Sequence, residues 1–416
     1  MYTNKQIWSV SYPILLSLLA QNVINVTDTA FLGHVSEVAL GASAMGGLFY
    51  ICIFTIAFGF STGSQIVIAR RNGEGRYSDV GPVMIQGIMF LLLIAILMFG
   101  FTKAFGGNIM RLLVSSESIY EGTMEFLDWR IYGFFFSFVN VMFRALYIGI
   151  TRTKVLTINA VVMALTNVIL DYALIFGKFG LPEMGIKGAA LGTICAQFLA
   201  LLGVLYHFSS PKSFIRFQKG IFKVRWHIVG GMLAIGLSPF LMNLCSCLIV
   251  LLINNGLKDF GGDMYIGAYG IVNRIVFLFI MIVMGFNQGM QPIAGYNFGA
   301  RQLSRMIQVL KYTTLCAITV TTLGFLICQI FPRTIIRMFT GDSDLIDIAK
   351  HGMRLILLFF PLVGFQMVSS SFFQSIGMAG KAIFLSLTRQ LIFLLPCLLI
   401  LPHYWGTDGV WGSIPV

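Results

Sequence analysis

Runs of about twenty apolar residues recur along the whole chain, separated by short polar segments. A run of this length can cross a bilayer as a helix, which satisfies its backbone hydrogen bonds internally. Apolar and polar residues do not alternate in these runs, as they would in the strands of a membrane barrel. The pattern predicts an all-α polytopic membrane protein with spans near 10–32, 43–69, 82–101, 123–151, 155–177, 185–208, 228–256, 265–292, 308–331, 352–376 and 380–401.

The first of these runs contains one polar stripe. Its members recur at helical spacing and therefore share one face of the helix; they are Ser17, Gln21, Asn25 and Asp28. An ionised carboxylate inside a bilayer costs roughly 2.5–3.5 kcal/mol on insertion scales. We therefore expect Asp28 to be neutralised, paired or in contact with water.

The composition supports a membrane protein. Hydrophobic residues make up 57% of the chain and charged residues 11%, with a mean hydropathy of +0.86, which excludes an ordinary soluble domain. The formal net charge is +12, and most basic residues outside the spans lie on loops on the same side as the N-terminus. This asymmetry predicts a cytoplasmic N-terminus and gives no reason to expect a nucleic-acid partner. The seven cysteines all lie in apolar segments, so we interpret them as packing residues.

The two halves of the chain resemble each other. Matching residues recur 226 positions apart, namely Gly41 and Gly267, Gly63 and Gly289, Gln65 and Gln291, and Gly73 and Gly299. This predicts two pseudo-symmetric six-helix bundles at 1–208 and 228–416, joined by a cytoplasmic linker at 209–227, with the last helix only begun after Gly406. Repeats with an even number of spans have the same orientation and enclose a central cleft, which is a transporter architecture.

Most acidic residues fall on outer loops or at the outer ends of helices, which leaves two in the membrane, both in the first half. Asp28 and Asp171 lie at similar depths, and Asn167 shares a helical face with Asp171. Neighbouring buried carboxylates favour proton binding, whereas carboxylate, amide and hydroxyl oxygens, including that of Thr193, also suit Na⁺. The second half has the uncharged Asn254 where the first has Asp28. We therefore expect the coupling chemistry in the first bundle.

Other interpretations compete with this one. Both acids are alternatively structural counter-ions of arginines within spans, namely Arg144, Arg274 or Arg389. Pro13 removes a backbone hydrogen bond from the first span, which predicts either a hinge or a tolerated packing feature. The histidines are scattered at span ends and form no catalytic cluster, so no enzyme is expected. A channel would not need two bundles with protonatable acids in one of them.

Several segments carry a family resemblance: VTDTAFLGH around Asp28, the helix ends at Gln65 and Gln291, TNVILDYALIFG, GIKGAALGTICAQ and RQLIFLLPCLLILP. Over essentially its whole length the chain resembles the multidrug and toxic compound extrusion (MATE) transporters. It is most similar to the DinF-like branch, whose coupling residues lie in the first bundle. On this resemblance Asp28, Asn167, Asp171 and Thr193 are the cation- or proton-coupling residues.

The resemblance also implies a function. Such transporters export cationic or amphiphilic small molecules in exchange for H⁺ or Na⁺, by alternating access between the two bundles and without another cofactor. We expect a monomeric multi-pass protein of the bacterial inner membrane. A lipid-linked oligosaccharide flippase of the same superfamily is the alternative, although the acids in the first bundle favour a cationic cargo. The family has twelve spans, and this sequence stops where the twelfth would begin.

Overall fold

A computed structural model of the protein describes residues 4–114, 116–210 and 222–415, and all regular secondary structure in these ranges is helical. The helices of the first half are α1 (Asn4–Val35), α2 (Glu37–Gly73), α3 (Tyr77–Leu113), α4 (Glu117–Arg130), α5 (Gly133–Gly149), α6 (Lys154–Ile175) and α7 (Ile186–Ser209). Those of the second half are α8 (Trp226–Gly261), α9 (Asp263–Gly299), α10 (Leu303–Ile330), α11 (Pro332–Ile336), α12 (Ser343–Ile356), α13 (Phe360–Ser375), α14 (Ala379–Leu387), a π-helical turn (Thr388–Leu394), α15 (Leu395–Trp405) and α16 (Thr407–Ser413).

These helices account for all the predicted spans. Nine helical segments in the described ranges are long and apolar enough to cross a membrane, and two bent helix pairs raise the number to eleven if each pair is one span. The all-α polytopic fold is therefore confirmed. Long hydrophobic runs are reliable predictors because a lipid-exposed backbone must form its hydrogen bonds within the helix.

Two pairs of consecutive helices are joined by a sharp bend, which the hydrophobic pattern did not predict. The first bend, of 55°, separates α4 from α5 just after Arg130. The second, of 53°, separates α12 from α13 just after Ile356. These residues are 226 positions apart, and the bounds of α2 and α9 repeat at the same distance. The repeated bounds agree with the repeat inferred from the glycine and glutamine positions.

The described residues form two compact units. Residues within Tyr12–Gly236 form the first unit, and those within Met1–Ser11 and Leu237–Val416 form the second. The start of α1 therefore packs in the second unit, and the start of α8 packs in the first. The linker predicted at 209–227 lies largely outside the described residues.

Small residues allow close helix packing in the first unit. Gly188 of α7 faces the backbone of Leu174 of α6, where a Cβ atom would lie 2.7 Å from the carbonyl oxygen. A cluster of buried side chains from α1, α2, α4, α6 and α7 continues this contact, namely Leu32, Ala39, Ala42, Phe126, Ile175, Ile186, Ala189 and Ala190. In membranes, such small residues let helix backbones approach closely, so that dispersion forces hold them together.

Helix α1 is continuous through Pro13. Proline has no backbone N–H, so the helix lacks one internal hydrogen bond at this point. The carbonyl oxygen of Pro13 accepts a hydrogen bond of 2.7 Å from Thr157 Oγ1 of α6. This contact links α1 to α6 about four turns before Asp28. A hinge at Pro13 stays a prediction.

Candidate functional site

Helices α1 and α6 bring the two candidate acids together within the first unit. They meet through small and branched apolar side chains, namely Ala20 and Ile24 of α1 and Ala160 and Ala164 of α6. Asp28 lies one turn beyond this contact on α1, and Asp171 lies two turns beyond it on α6. Past the acids, Phe31 and Phe176 pack edge to face with ring centroids 5.7 Å apart. The carboxyl groups thus lie between two packed apolar layers.

The carboxyl groups of Asp28 and Asp171 are close enough to interact directly. Asp171 is completely buried, with 0% of its surface exposed. Both Asp171 side-chain oxygens and Oδ1 of Asp28 are buried without a well-aligned hydrogen-bond donor among the described residues. Buried polar atoms are normally satisfied. Carboxyl oxygens without a donor at this depth are chemically able to accept a proton or a hard cation.

Asn167 and Thr193 extend the site along α6 and α7. Asn167 is completely buried, and its Nδ2 donates a hydrogen bond of 3.3 Å to Thr193 Oγ1. Thr193 Oγ1 in turn donates to the carbonyl oxygen of Ala189 at 2.9 Å. The Asn167 Oδ1 atom is buried and has no hydrogen-bond partner in the described ranges. The four residues expected to couple transport to an ion thus lie on three neighbouring helices.

The carboxyl group of Asp171 occupies space that a missing side chain leaves open. A Cβ atom at Gly192 of α7 would overlap Asp171 Oδ1 and would lie 3.2 Å from the Asp171 Cγ atom. Overlap of this kind cannot be relieved cheaply in a close-packed interior. Gly192 is therefore part of the site, although nothing in the hydrophobic pattern distinguishes it from other glycines.

The charged residue that the sequence analysis missed is Arg130, the last residue of α4. It interacts electrostatically with both Asp28 and Asp171. The counter-ion candidates considered from the sequence were Arg144, Arg274 and Arg389. The sequence does place Arg130 at a suitable depth, because Arg130 lies only a few residues after the outer start of the predicted fourth span. Asp28 and Asp171 lie at a similar distance from the outer ends of their spans.

The remaining members of the polar stripe on α1 have different environments. Ser17 is buried, whereas the side chain of Asn25 lies on the exposed surface of the unit. The carbonyl oxygen of Asn25 accepts a hydrogen bond of 2.8 Å from Thr29 Oγ1 within the helix. The stripe therefore does not form one continuous site, and Asp28 is the member that meets another helix through a charge.

The second unit contains no comparable acid pair among its described residues. Its buried polar side chains are amides and hydroxyls, and two of the amides are joined by a hydrogen bond of 2.9 Å from Gln291 Nε2 to Gln374 Oε1. Gln390 Nε2, in the π-helical turn, donates to Ser246 Oγ at 2.9 Å. In the described ranges no group of three or more histidine, cysteine, aspartate or glutamate residues is arranged to hold a metal ion.

Comparison with known proteins assigns the family. A family model described as MatE matches residues 13–173 and 234–399. The chain belongs to the MatE family of multi-pass membrane transporters. The match covers both halves of the chain and includes Asp28, Asn167 and Asp171, although it does not test their roles.

Relatives of this MatE protein are distant but match along most of its length. The probable multidrug resistance protein NorM of Thermotoga maritima is 24% identical over 356 residues, which cover 85% of this chain and 76% of the relative. The multidrug export protein MepA of Staphylococcus aureus (strain MSSA476) is 25% identical over an alignment of 421 residues, which covers 99% of this chain and 90% of the relative.

The fold also matches that of solved structures. One is described as the outward-facing conformation of a multidrug resistance MATE family transporter of the MOP superfamily. It has a TM-score of 0.92 and 21% sequence identity, and the match covers 99% of this chain and 91% of that chain. At this identity the likeness establishes the fold alone.

Proposed function

We propose that this protein is a secondary active multidrug efflux transporter, which exports cationic or amphiphilic compounds in exchange for H⁺ or Na⁺. The observation that carries the proposal is the interaction between buried Asp171 and half-buried Asp28 in the first unit of a MatE-family protein. An acid pair surrounded by apolar side chains changes its charge when an ion enters or leaves, which is what coupling requires. Asn167 and Thr193 supply further oxygen atoms for the ion.

The names of the relatives support the cargo class. NorM and MepA are named as multidrug resistance and multidrug export proteins. A negatively charged pair in the membrane favours a cationic cargo, whereas a flippase for lipid-linked oligosaccharides would need to bind phosphate groups. We place the protein in the bacterial inner membrane with a cytoplasmic N-terminus, because the basic residues lie mainly on the loops of that side.

The energy available from the ion is sufficient for export. One elementary charge moved through 100 mV corresponds to about 2.3 kcal/mol. Since 1.4 kcal/mol is a factor of ten, one net charge per cycle supports roughly fifty-fold accumulation of cargo on the outer side. One titrating pair per molecule is therefore enough.

Export of a fluorescent cation from everted membrane vesicles tests the proposal, with pH and Na⁺ gradients imposed separately. Wild-type protein should transport the dye under at least one of the gradients. Asp28→Asn and Asp171→Asn should each abolish coupled export while the protein remains folded, because the amide keeps the shape of the acid and removes its titration. Transport at the wild-type rate by Asp171→Asn would refute the coupling role.

Two matched variants control this experiment. Asn254→Ala changes the second-half counterpart of Asp28 and should be mild. Asp347→Asn removes an acid from an exposed ion pair with Arg333, 2.8 Å long, and should leave export unchanged. A loss of export in Asn254→Ala as complete as in Asp28→Asn would show that the first half is not the coupling half.

A further inference from the structure

We propose that Arg130 is the resident counter-ion of the Asp28–Asp171 pair and competes with protons and cargo for its negative charge. This proposal deepens the proposed function and rests on it for the identity of the cargo. Arg130 interacts with both carboxyl groups, and no part of the sequence motif that carries the family resemblance includes it.

The guanidinium group of Arg130 is held in a defined place by three neighbouring helices. Its Cζ atom lies 3.7 Å from the centre of the Tyr50 ring of α2, which is a cation–π contact. Its Nη1 atom donates a hydrogen bond of 3.5 Å to Gln197 Oε1 of α7. A Cβ atom at Gly133, the first residue of α5, would overlap Arg130 Nη1 and lie 2.9 Å from Gln197 Oε1. The bend after α4 and the glycine that follows it therefore make room for this cation.

The platform beneath the guanidinium is itself fixed. The Tyr50 ring stacks on Phe134 with centroids 4.9 Å apart and an angle of 11° between the ring planes. The Tyr50 hydroxyl lies 2.6 Å from Ser137 Oγ in a buried hydrogen bond. A stacked and hydrogen-bonded tyrosine loses little further entropy when it binds a cation. The arginine is thus held on a rigid aromatic surface, within electrostatic range of the acid pair.

Two other basic groups on the neighbouring helices pair with different acids. Lys103 of α3 pairs with Asp128 at 2.7 Å, and Lys187 of α7 pairs with Glu125 at 3.0 Å. The packed helices carry further titratable or charged groups at their ends or on other turns, among them Glu37, Arg70 and Arg71 of α2, Arg111 of α3, Glu117, Tyr120 and Glu121 of α4, Tyr132 at the bend, Arg144 and Tyr147 of α5, Tyr172 of α6, and Cys195 and His207 of α7. Arg130 is the basic residue in the described ranges that acts on both acids.

A pair of carboxyl groups needs such a cation if it is to ionise within the membrane. Burial disfavours the charged form of each acid, and the first negative charge opposes the second. An arginine remains protonated under all physiological conditions, so its charge is always present to compensate one carboxylate. With Arg130 in place, protons can leave the pair, and a cationic cargo can then take over part of the arginine's role.

Comparison with the second half of the chain supports a common function for Arg130, Asp28 and Asp171. At the same spacing of 226 residues, Arg130 corresponds to Ile356. Ile356 also ends a helix before a bend. The counterpart of Asp28 is Asn254. If Arg130 only stabilised the bend, we would expect an arginine at the corresponding bend of the second half, even though that half lacks the acid. The cation and the acid therefore occur together in one repeat and are both lacking in the other.

Infrared spectroscopy of the purified protein tests the proposal without requiring transport. The intensity of the carbonyl band of protonated carboxyl groups is recorded against pH. The intensity that the double variant Asp28→Asn/Asp171→Asn lacks is assigned to the acid pair. Arg130→Gln should move the midpoint of this part by about one pH unit or more towards alkaline pH, because an opposite charge nearby typically shifts an acid by that amount. Arg130→Lys keeps the charge and should stay close to wild type.

Controls separate the charge effect from a change in folding. Lys103→Gln removes a cation that already pairs with α4 and should leave the midpoint unchanged. Gly133→Ala keeps the arginine but displaces its guanidinium group, so it should shift the midpoint in the same direction by a smaller amount. This variant replaces Arg130→Gln as the test if Arg130→Gln does not fold. Wild-type midpoints in both Arg130→Gln and Gly133→Ala would overturn the proposal.

The outcome is distinguishable from failure of the proposed function. If the midpoint shifts as expected but wild-type vesicles export no cation, multidrug export is wrong and the role of Arg130 stands. If vesicles export the dye but the midpoint does not move, export stands and the role of Arg130 is refuted. Affinity of the purified protein for a fluorescent cation should also be lost at a higher pH in Arg130→Gln than in wild type.

Discussion

At the scale of single residues, the site depends as much on absent side chains as on charged ones. Asp171 can lie where it does because Gly192 has no Cβ, and Arg130 can reach Gln197 because Gly133 has none. Glycine in a membrane helix usually lets a neighbouring backbone approach closely. At Gly192 and Gly133 the space left by the missing side chain is occupied by polar groups instead. The position of each charge is therefore set by a residue on a different helix.

This leads to a prediction for Gly192→Ala. The new methyl group would overlap Asp171 Oδ1, so the carboxyl group must move away from its present place, and ion-coupled export in vesicles should fall at least about tenfold, since a shift of roughly 1 Å in a site can cost a factor of a hundred. Gly203→Ala is the matched control on the same helix, because its nearest neighbour is the end of the Asn159 side chain at 3.3 Å. Equal export in the two variants would contradict the prediction.

At the scale of secondary structure elements, α1 and α8 share an unusual feature. Each helix passes from one compact unit into the other, after Ser11 in α1 and after Gly236 in α8. A proline follows within three residues in both cases, Pro13 in α1 and Pro239 in α8, and the two prolines are 226 positions apart. A helix interrupted by proline lacks one backbone hydrogen bond and bends there more easily.

We therefore expect Pro13→Ala to make α1 stiffer. Alanine restores the missing hydrogen bond, so thermal unfolding of the purified protein should occur at the same or a higher temperature, while the rate of dye export should fall several-fold. Pro82→Ala in α3, a helix that lies within one unit, is the matched control and should keep the wild-type transport rate. A wild-type rate for Pro13→Ala would refute the hinge.

At the scale of the whole molecule, the repeat places equivalent glycines at equivalent close approaches. Gly63 of α2 faces the backbone of Met232 in α8, and a Cβ atom there would overlap the Met232 carbonyl oxygen. Gly289 of α9 faces Ser11 of α1, and a Cβ atom there would overlap the Ser11 hydroxyl. Each contact lies within one compact unit, at the start of the helix whose remainder belongs to the other unit.

Gly63→Ala and Gly289→Ala should each destabilise the protein by about 1–3 kcal/mol, the usual cost of overpacking. The effect should be larger at Gly63, because a backbone carbonyl cannot move aside as a serine side chain can. Gly47→Ala and Gly270→Ala are matched controls on the same two helices, since no atom lies within 4 Å of the new Cβ at either position. Thermal unfolding in detergent measures the difference, and equal unfolding temperatures in all four variants would contradict the interpretation.

The amino-acid sequence by itself determined the membrane-spanning helices and the presence of charge within them. Each apolar run had to become a helix, because no other open structure satisfies the backbone in lipid. The positions of Asp28 and Asp171 within their apolar runs placed the two carboxyl groups at a similar depth in the membrane. The spacing of glycines and glutamines indicated the repeat. These properties follow from the length, period and composition of each run and from the spacing of matching residues along the chain.

Tertiary structure decided which of these groups meet. Successive residues on a helix point about 100° apart, so a small rotation of α4 determines whether Arg130 faces the acids or the lipid. That rotation depends on the bend after α4, the Tyr50 surface and the space at Gly133, which come from three different helices. No local pattern contains these relations, because they arise only when the helices are packed together. The acids were therefore predictable from the sequence, whereas their arginine partner became visible only in the folded chain.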